Sequence, residues 1–380
     1  MLPALLGKLK TKVGEDYMGL NRRQLLRGSL AVGAAALPVG ALAAPAYGVV
    51  HKPRAQARRA GFNLALLDVA NGIITNHHTG DIHTNTKGEK EFGNPWATFR
   101  TGKDGAVGWD PLELKVRTLD NGKGEKAFLI CGGDSTEGHV TIHRNSDGAP
   151  LGWVSGLTNF PHSLEYVPEH EVIIVVGPRG LGQYDPPPRG ESEPGGCYEM
   201  YAAPTGGSVG PLKKIPIADK DRAFWKAHGV VWDRDKKLVW IYGGNKLRSY
   251  KVIGKGEGAR LERANIEIVS DLFKNGHDLQ PDPLEPEYLW ATSSTEILQI
   301  NKAGGYAFIQ WSIPAKSVKS FARDRSGSAA WTADTLGNKY GDDKVRFMWY
   351  PDMTGPVTVP AVSGETTKPK VIYKARLLDI

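Results

Sequence analysis

The chain has 380 residues, 40% hydrophobic and 9% aromatic, enough for one large core or two ordinary ones. With 46 Gly and 25 Pro between short apolar runs, and no long helical periodicity, the composition excludes a helical bundle and points to an all-β protein rich in turns. The formal charge of +7 is local: residues 1–46 carry +4 and residues 47–60 another +4, leaving −1 for residues 61–380. A body with no basic stripe interleaved with aromatics excludes nucleic acid as a partner.

The first element is an address. In "NRRQLLRGSLAVGAAALPVGALAAPA", Arg22-Arg23 precede Leu25-Leu26 and Arg27, and an Ala- and Gly-rich stretch ends in Ala41-Leu42-Ala43 and Ala44-Pro45-Ala46. This resembles a twin-arginine (Tat) signal peptide. The apolar run is too short, too Gly-rich and too interrupted by Pro38 to span a membrane. Residues 1–46 are therefore read as a Tat signal. The expected partner is the Tat translocon, and the destination is the periplasm, the cell envelope or the medium, with no stable membrane span after processing. In such a compartment Cys131 and Cys197 either pair or stay as separate buried thiols.

Residues 47–110 read as an N-terminal arm or a degenerate blade. They contain "NHHTGDIHTN", where a turn could gather His77, Asp81 and His83 beside His78, or which is simply a solvated loop.

From residue 111 to 380 a repeat organises the chain. Four stretches align: "PHSLEYVPEHEVIIVVG" from Pro161, "AHGVVWDRDKKLVWIYGG" from Ala227, "GHDLQPDPLEPEYLWATS" from Gly276 and "VKSFARDRSGSAAWTAD" from Val318. A fainter copy, "LKVRTLDNGKGEKAFLICGG", starts at Leu114. Each copy has a polar residue, an apolar strand, a turn and a second apolar strand. Third strands follow ("HVTIHR", "CYEMY", "KLRSYKV", "EILQI", "KVRFMWY"), then fourth strands ("LGWVSG", "LKKIPI", "ARLERANIEI", "YAFIQWS", "KVIYKARLL"). Four strands per unit is the signature of a β-propeller. The expected architecture is five four-stranded blades, with residues 61–110 as a sixth, degenerate blade or a plug, and seven as the outer alternative. The longest unit carries "DPPPRGESEPGG", a loop insertion on one face.

The first strand of each blade lines the central channel. The recurring polar residue reads Lys115, His162, His228, His277 and Lys319, so these should form a ring at one mouth. The chain is similar to a bacterial family of exported propellers of unassigned function. "CGGDS" at Cys131–Ser135 and the His-led blade phrases carry that resemblance, which implies the fold and no mechanism.

Two readings of the three histidines stand side by side. Converging neutral imidazoles would suit a divalent metal (Mn, Zn or Ca), with Glu165 and Asp278 orienting them or contributing oxygen. Alternatively each histidine locks one blade to the next. Lys115 and Lys319 would repel a metal and attract an anionic ligand. "CGGDSTEGH" adds Asp134, Glu137 and His139, or is an ordinary strand-end turn. "GPRGLG" at Gly177–Gly182 contains Pro178 and opens no helix, so no nucleotide is expected. Tyr166, Trp225, Trp232, Trp240, Trp290 and Trp331 offer surfaces for sugar stacking, but Trp240, Trp290 and Trp331 share one repeat position, which says blade packing. Trp225 and Trp153, read as loop residues, are better sugar contacts.

These features suggest an exported carbohydrate-active propeller, most concretely a polysaccharide lyase. β-Elimination at a uronate needs a cation for the carboxylate, a base for the neighbouring proton and an acid for the leaving oxygen. His162, His228 and His277 are the catalytic and metal candidates; Lys115, Lys319, Asp134 and Trp225 are the substrate-binding ones. A glycoside hydrolase would instead need two carboxylates on one face, from Asp134, Glu165 and Asp278. A non-catalytic envelope module would bind glycan or protein through loops such as 177–210.

Overall fold

A computed structural model describes residues 61–380, apart from 103–107, 120–123, 135, 186–194, 205–207, 304–305, 336, 338–339, 349–354, 365 and 379–380. The chain divides into two units, Met1–Lys52 and Pro53–Ile380, and every described residue belongs to the second. The proposed signal and its arginine pair lie outside the described residues.

The short apolar runs are strands because they are rich in Val, Ile and aromatics and end at Gly, Pro, Asn or Asp. They assemble into six antiparallel blades, not five. From the channel outward, blade 1 is Ile372–Leu377, Asn63–Asp68, Ile73–His78 and Ala97–Arg100. Blade 2 is Asp110–Thr118, Lys126–Gly133, Gly138–Arg144 and Pro150–Leu157, and blade 3 is Ser163–Val167, Val172–Gly177, Cys197–Ala202 and Lys213–Ile215. Blade 4 is Ala227–Asp233, Leu238–Gly243, Lys246–Ile253 and Arg260–Val269; blade 5 is Leu279–Pro281, Tyr288–Thr292, Glu296–Asn301 and Phe308–Pro314. Blade 6 is Val318–Arg323, Ala329–Ala333, Lys344–Met348 and Pro356–Thr358, extended by Lys90–Glu91 and His83–Thr84.

The extra blade has a specific origin. The segment "KVIYKARLL" does not close the last repeat. Its strand Ile372–Leu377 pairs with Asn63–Asp68 and becomes the inner strand of blade 1. In return, the segment after Ile73–His78 adds Lys90–Glu91 to the edge of blade 6. The ring is thus closed by both ends of the described chain.

The core lies between blades. Side chains alternate along a strand, so an interior strand buries one set against each neighbouring blade and must be apolar on both faces. In "VIIVVG" of blade 3, Ile174 and Val176 pack with Val230 and Ile241 of blade 4, while Ile173 and Val175 pack with Leu129 and Val140 of blade 2. Trp240 and Trp290 are buried in the same way, each indole N–H donating to the Asp at the end of its own blade's inner strand or just past it (Asp233, 3.2 Å; Asp282, 2.7 Å). Cys131 and Cys197 are separate buried thiols. No helix among the described residues is long and apolar enough to cross a membrane.

Candidate functional site

The inner strands start at one end of the channel, here called the mouth. A residue bulges out of register there in blade 1 (Tyr373), blade 2 (Leu112), blade 4 (His228) and blade 6 (Lys319). In blades 3 and 5, His162 and His277 stand just ahead of the inner strand. A repeated backbone device prepares these positions. Phe160, Lys226, Asn275 and Ser317, each two residues before a ring residue, hold φ between 49° and 53°, the left-handed region that non-glycine residues avoid. Such strain persists only where surrounding structure enforces it, and it clusters at functional sites. The turn aims its carbonyl at the imidazole that follows. His162 Nδ1 donates to Phe160 O (2.9 Å) and His228 Nδ1 to Lys226 O (2.7 Å). Gly276 serves the third histidine: a Cβ there would collide with the Tyr242 hydroxyl, which bridges Phe273 O (3.0 Å) and Thr292 O (2.7 Å).

The three histidines do come together. The rings of His162 and His228 stand edge-to-face at 4.6 Å, and those of His228 and His277 at 5.6 Å. Lys319 Nζ lies 3.2 Å from His277 Nε2. An ammonium only donates, so that Nε2 accepts, and the His277 proton sits on Nδ1, facing the Tyr373 hydroxyl at 3.5 Å. All three imidazoles are therefore Nδ1–H tautomers whose Nε2 lone pairs are the free or donor-seeking ends.

They are also neutral. Recession into the mouth is the main cause that pushes His228 down to about 4, with Lys226, Lys374 and Lys319 adding repulsion. Burial likewise drives His162 and His277 well below the usual histidine range, helped by His228 and Arg179 on one side and by Lys319 and Lys374 on the other. Lys319, buried and near Lys374, is lowered to about 8, a shift that Asp334 partly opposes. The positive field at the mouth thus comes from lysine and arginine and not from imidazolium.

Below this ring the channel is filled by ion pairs. Glu165 takes Arg117 (Nε to Oε1 and Nη2 to Oε2, both 2.6 Å) and Lys115 (3.3 Å). Arg376 Nη2 joins Glu113 (2.7 Å) and Asp278 (2.7 Å). Lys374 Nζ donates to His277 O (2.7 Å) and Lys319 O (2.8 Å), 3.8 Å from Asp278.

Several expected site residues stand elsewhere. Lys115 is the main correction: it is fully buried in this plug, donating to Glu165 and Val230 O, because the bulge after Pro111 gives its place at the mouth to Leu112. Glu165 and Asp278 accept from strand amides and buried cations, so neither orients a histidine nor faces the mouth as a free carboxylate. Asp134 caps its own turn, its Oδ1 accepting from Thr136 N (2.6 Å), Thr136 Oγ1 (2.6 Å) and Glu137 N (3.0 Å), and the Thr136 hydroxyl holds it down at about 2. Trp225 is buried beside Lys226, and Trp153 belongs to the outer strand of blade 2. His139 stacks on Trp109 at 5.2 Å and pairs with Glu137 at 3.6 Å. The His77 tract is occupied locally, with His77 bonding Gly93 O (3.2 Å) and Thr75 Oγ1 (3.0 Å), and His78 capping Gly80 N (3.1 Å). Lys319 Nζ holds His277 Nε2, and among the described residues no three His, Cys, Asp or Glu side chains cluster in a way that would hold an ion.

Three mouth residues escaped the sequence reading. Tyr373 completes the ring from the C-terminal strand. Phe160 packs its ring 4.9 Å from His162. Arg179 lies over Phe160 at 4.2 Å.

No protein-family model matches this chain. No curated protein matches it. Among solved structures it is similar to a periplasmic gluconolactonase of Pseudomonas aeruginosa (12% identity, 84% of each chain, TM-score 0.49). It is similar to a protein of unknown function from Bacteroides caccae (9% identity, 84% of this chain and 100% of that one, TM-score 0.48). It is also similar to a functionally unknown protein from Desulfotomaculum acetoxidans (11% identity, 83% of this chain and 80% of that one, TM-score 0.44). All three TM-scores lie below 0.5, so the assignment of a six-bladed propeller rests on the sheets themselves.

Proposed function

We propose that the mouth binds an acidic sugar of a glycan and supports β-elimination at a uronate, in a protein exported through the Tat translocon. The observation that carries this reading is a row of three neutral imidazoles with Nε2 acceptors, ending on the Lys319 ammonium, which bonds an imidazole and is attracted by Asp334. Neutral acceptors receive sugar hydroxyls, and the ammonium receives the carboxylate. In the elimination, Lys319 neutralises the uronate carboxylate and so acidifies the adjacent C–H. Nε2 of His228, the central ring, takes that proton. The C–H pair becomes the C=C bond, and the C–O pair leaves with the oxygen. The His228 imidazolium, disfavoured by burial and by neighbouring lysines, returns the proton to the leaving oxygen.

The hydrolase reading has no such support, since Asp134, Glu165 and Asp278 are all committed elsewhere. A second reading is favoured by one observation: an imidazole held at about 4 is a weak base, which suits binding without chemistry. Polygalacturonate and alginate incubated with the purified protein separate the two. Growth of ultraviolet absorbance from an unsaturated uronate supports elimination. Calorimetric binding without that absorbance supports the binding module. Neither signal with any uronate glycan overturns the assignment of the mouth.

A further inference from the structure

The aromatic row continues past the histidines at its far end. Arg179 covers Phe160 (4.2 Å), Phe160 meets His162 (4.9 Å), His162 meets His228 (4.6 Å), His228 meets His277 (5.6 Å), and His277 holds Lys319 (3.2 Å). A continuous strip of four rings therefore runs around the mouth from blade 3 to blade 6 with a cation at each end. The two cations differ in setting. Lys319 is recessed and spends its ammonium on an imidazole. The Arg179 guanidinium is exposed, rests on a ring face, and pairs with no carboxylate among the described residues. A guanidinium stacked on an aromatic face keeps its N–H edge free for a planar anion.

We infer that the mouth reads two acidic groups at once, so that its ligand is a run of at least two adjacent acidic sugar residues and not a single uronate. Lys319 is the inner subsite and Arg179 the outer, specificity-determining one. This rests on the reading of the mouth as an acidic-sugar site. A second tethered contact raises affinity through effective concentration without any new contact at the first. The strip between the poles is neutral and aromatic, so it accepts the sugar rings of a bridging chain without an opposing charge.

The test is a calorimetric length series with galacturonate, digalacturonate and trigalacturonate, repeated at low and moderate salt. Wild-type protein should bind the trimer at least about tenfold more tightly than the monomer, with the steeper salt dependence. Arg179→Gln should erase that step and leave monomer affinity near wild type, and Arg179→Lys should restore part of it. Lys319→Gln should weaken every length. Monomer binding with no length step, or a step that survives Arg179→Gln, overturns the two-pole inference while leaving the acidic-sugar reading intact. Inorganic phosphate competing as well as the trimer reduces the mouth to a general anion site and also overturns it. No binding at any length overturns both.

Discussion

The mouth and the interior of the channel are built from the same inner strands, yet their electrostatics are opposite. One to three residues inside the ring, Glu113, Glu165 and Asp278 are each matched by Lys115, Arg117 or Arg376, and their remaining lone pairs take strand amides, Ser163 or Gln280. Nothing there is left for a ligand. At the ring, the histidines are neutral, their Nδ1 atoms are tied back to the fold, and Nε2 of His162 and His228 carries no partner among the described residues. Complete pairing marks a structural network, whereas acceptors left open beside cations are what the proposed acidic ligand would use. Polarity on a channel strand therefore says little by itself; the balance of acids and bases at each level decides.

Breaking the interior should give the largest effect. Arg376→Met strands two buried carboxylates and should cost about 3–5 kcal/mol. Denaturant unfolding checks this, and a cost below about 1 kcal/mol would mean that the plug is not what holds the inner strands together. Lys319→Gln sharpens the comparison from the other side. It should weaken uronate binding about tenfold or more while leaving Tm unchanged or slightly raised, since a recessed ammonium repelled by Lys374 is removed.

Proton titration should separate the two regions next. Anion binding needs protonated Lys319, so affinity should fall as pH rises through about 8. Stability responds at the acid end. His228 is depressed from 6.5 to about 4 in the folded state, so the unfolded chain takes up its proton first. The stability in question is complete above about 6.5 and is lost as pH falls towards 4, which melts across that window will show. His228→Asn should flatten the slope. The smallest effect belongs to blade packing: Trp290→Phe gives up the indole bond to Asp282 and should cost about 1 kcal/mol without touching ligand affinity.

Much of this was legible in the chain because the mouth residues recur at one repeat position. His162, His228, His277 and Lys319 occupy one repeat position and do meet at one mouth. Blade 2 misled, because a bulge is invisible in an apolar–polar pattern: "LELKV" looks in phase with Lys115 when the bulge has moved Leu112 into the ring. Blade 1 was hidden for a different reason. Its inner strand comes from Ile372–Leu377, about 300 residues from its partner, and local patterning carries no information about such pairing. The same distance hid Tyr373. Phe160 and Arg179 lie in turns outside the repeated phrase, and only the left-handed residue two places before each histidine, Phe160 among them, gives a retrospective signal.

The most direct test is a paired measurement on His162→Ala, His228→Ala and His277→Ala: trigalacturonate affinity by calorimetry, and Tm by thermal melt. The mouth is half-open to water, so truncation should shift Tm by no more than about 2–4 °C. Affinity should fall about tenfold or more in each variant. Lowered Tm in all three with unchanged affinity would contradict the account, and would make the histidines locks between blades.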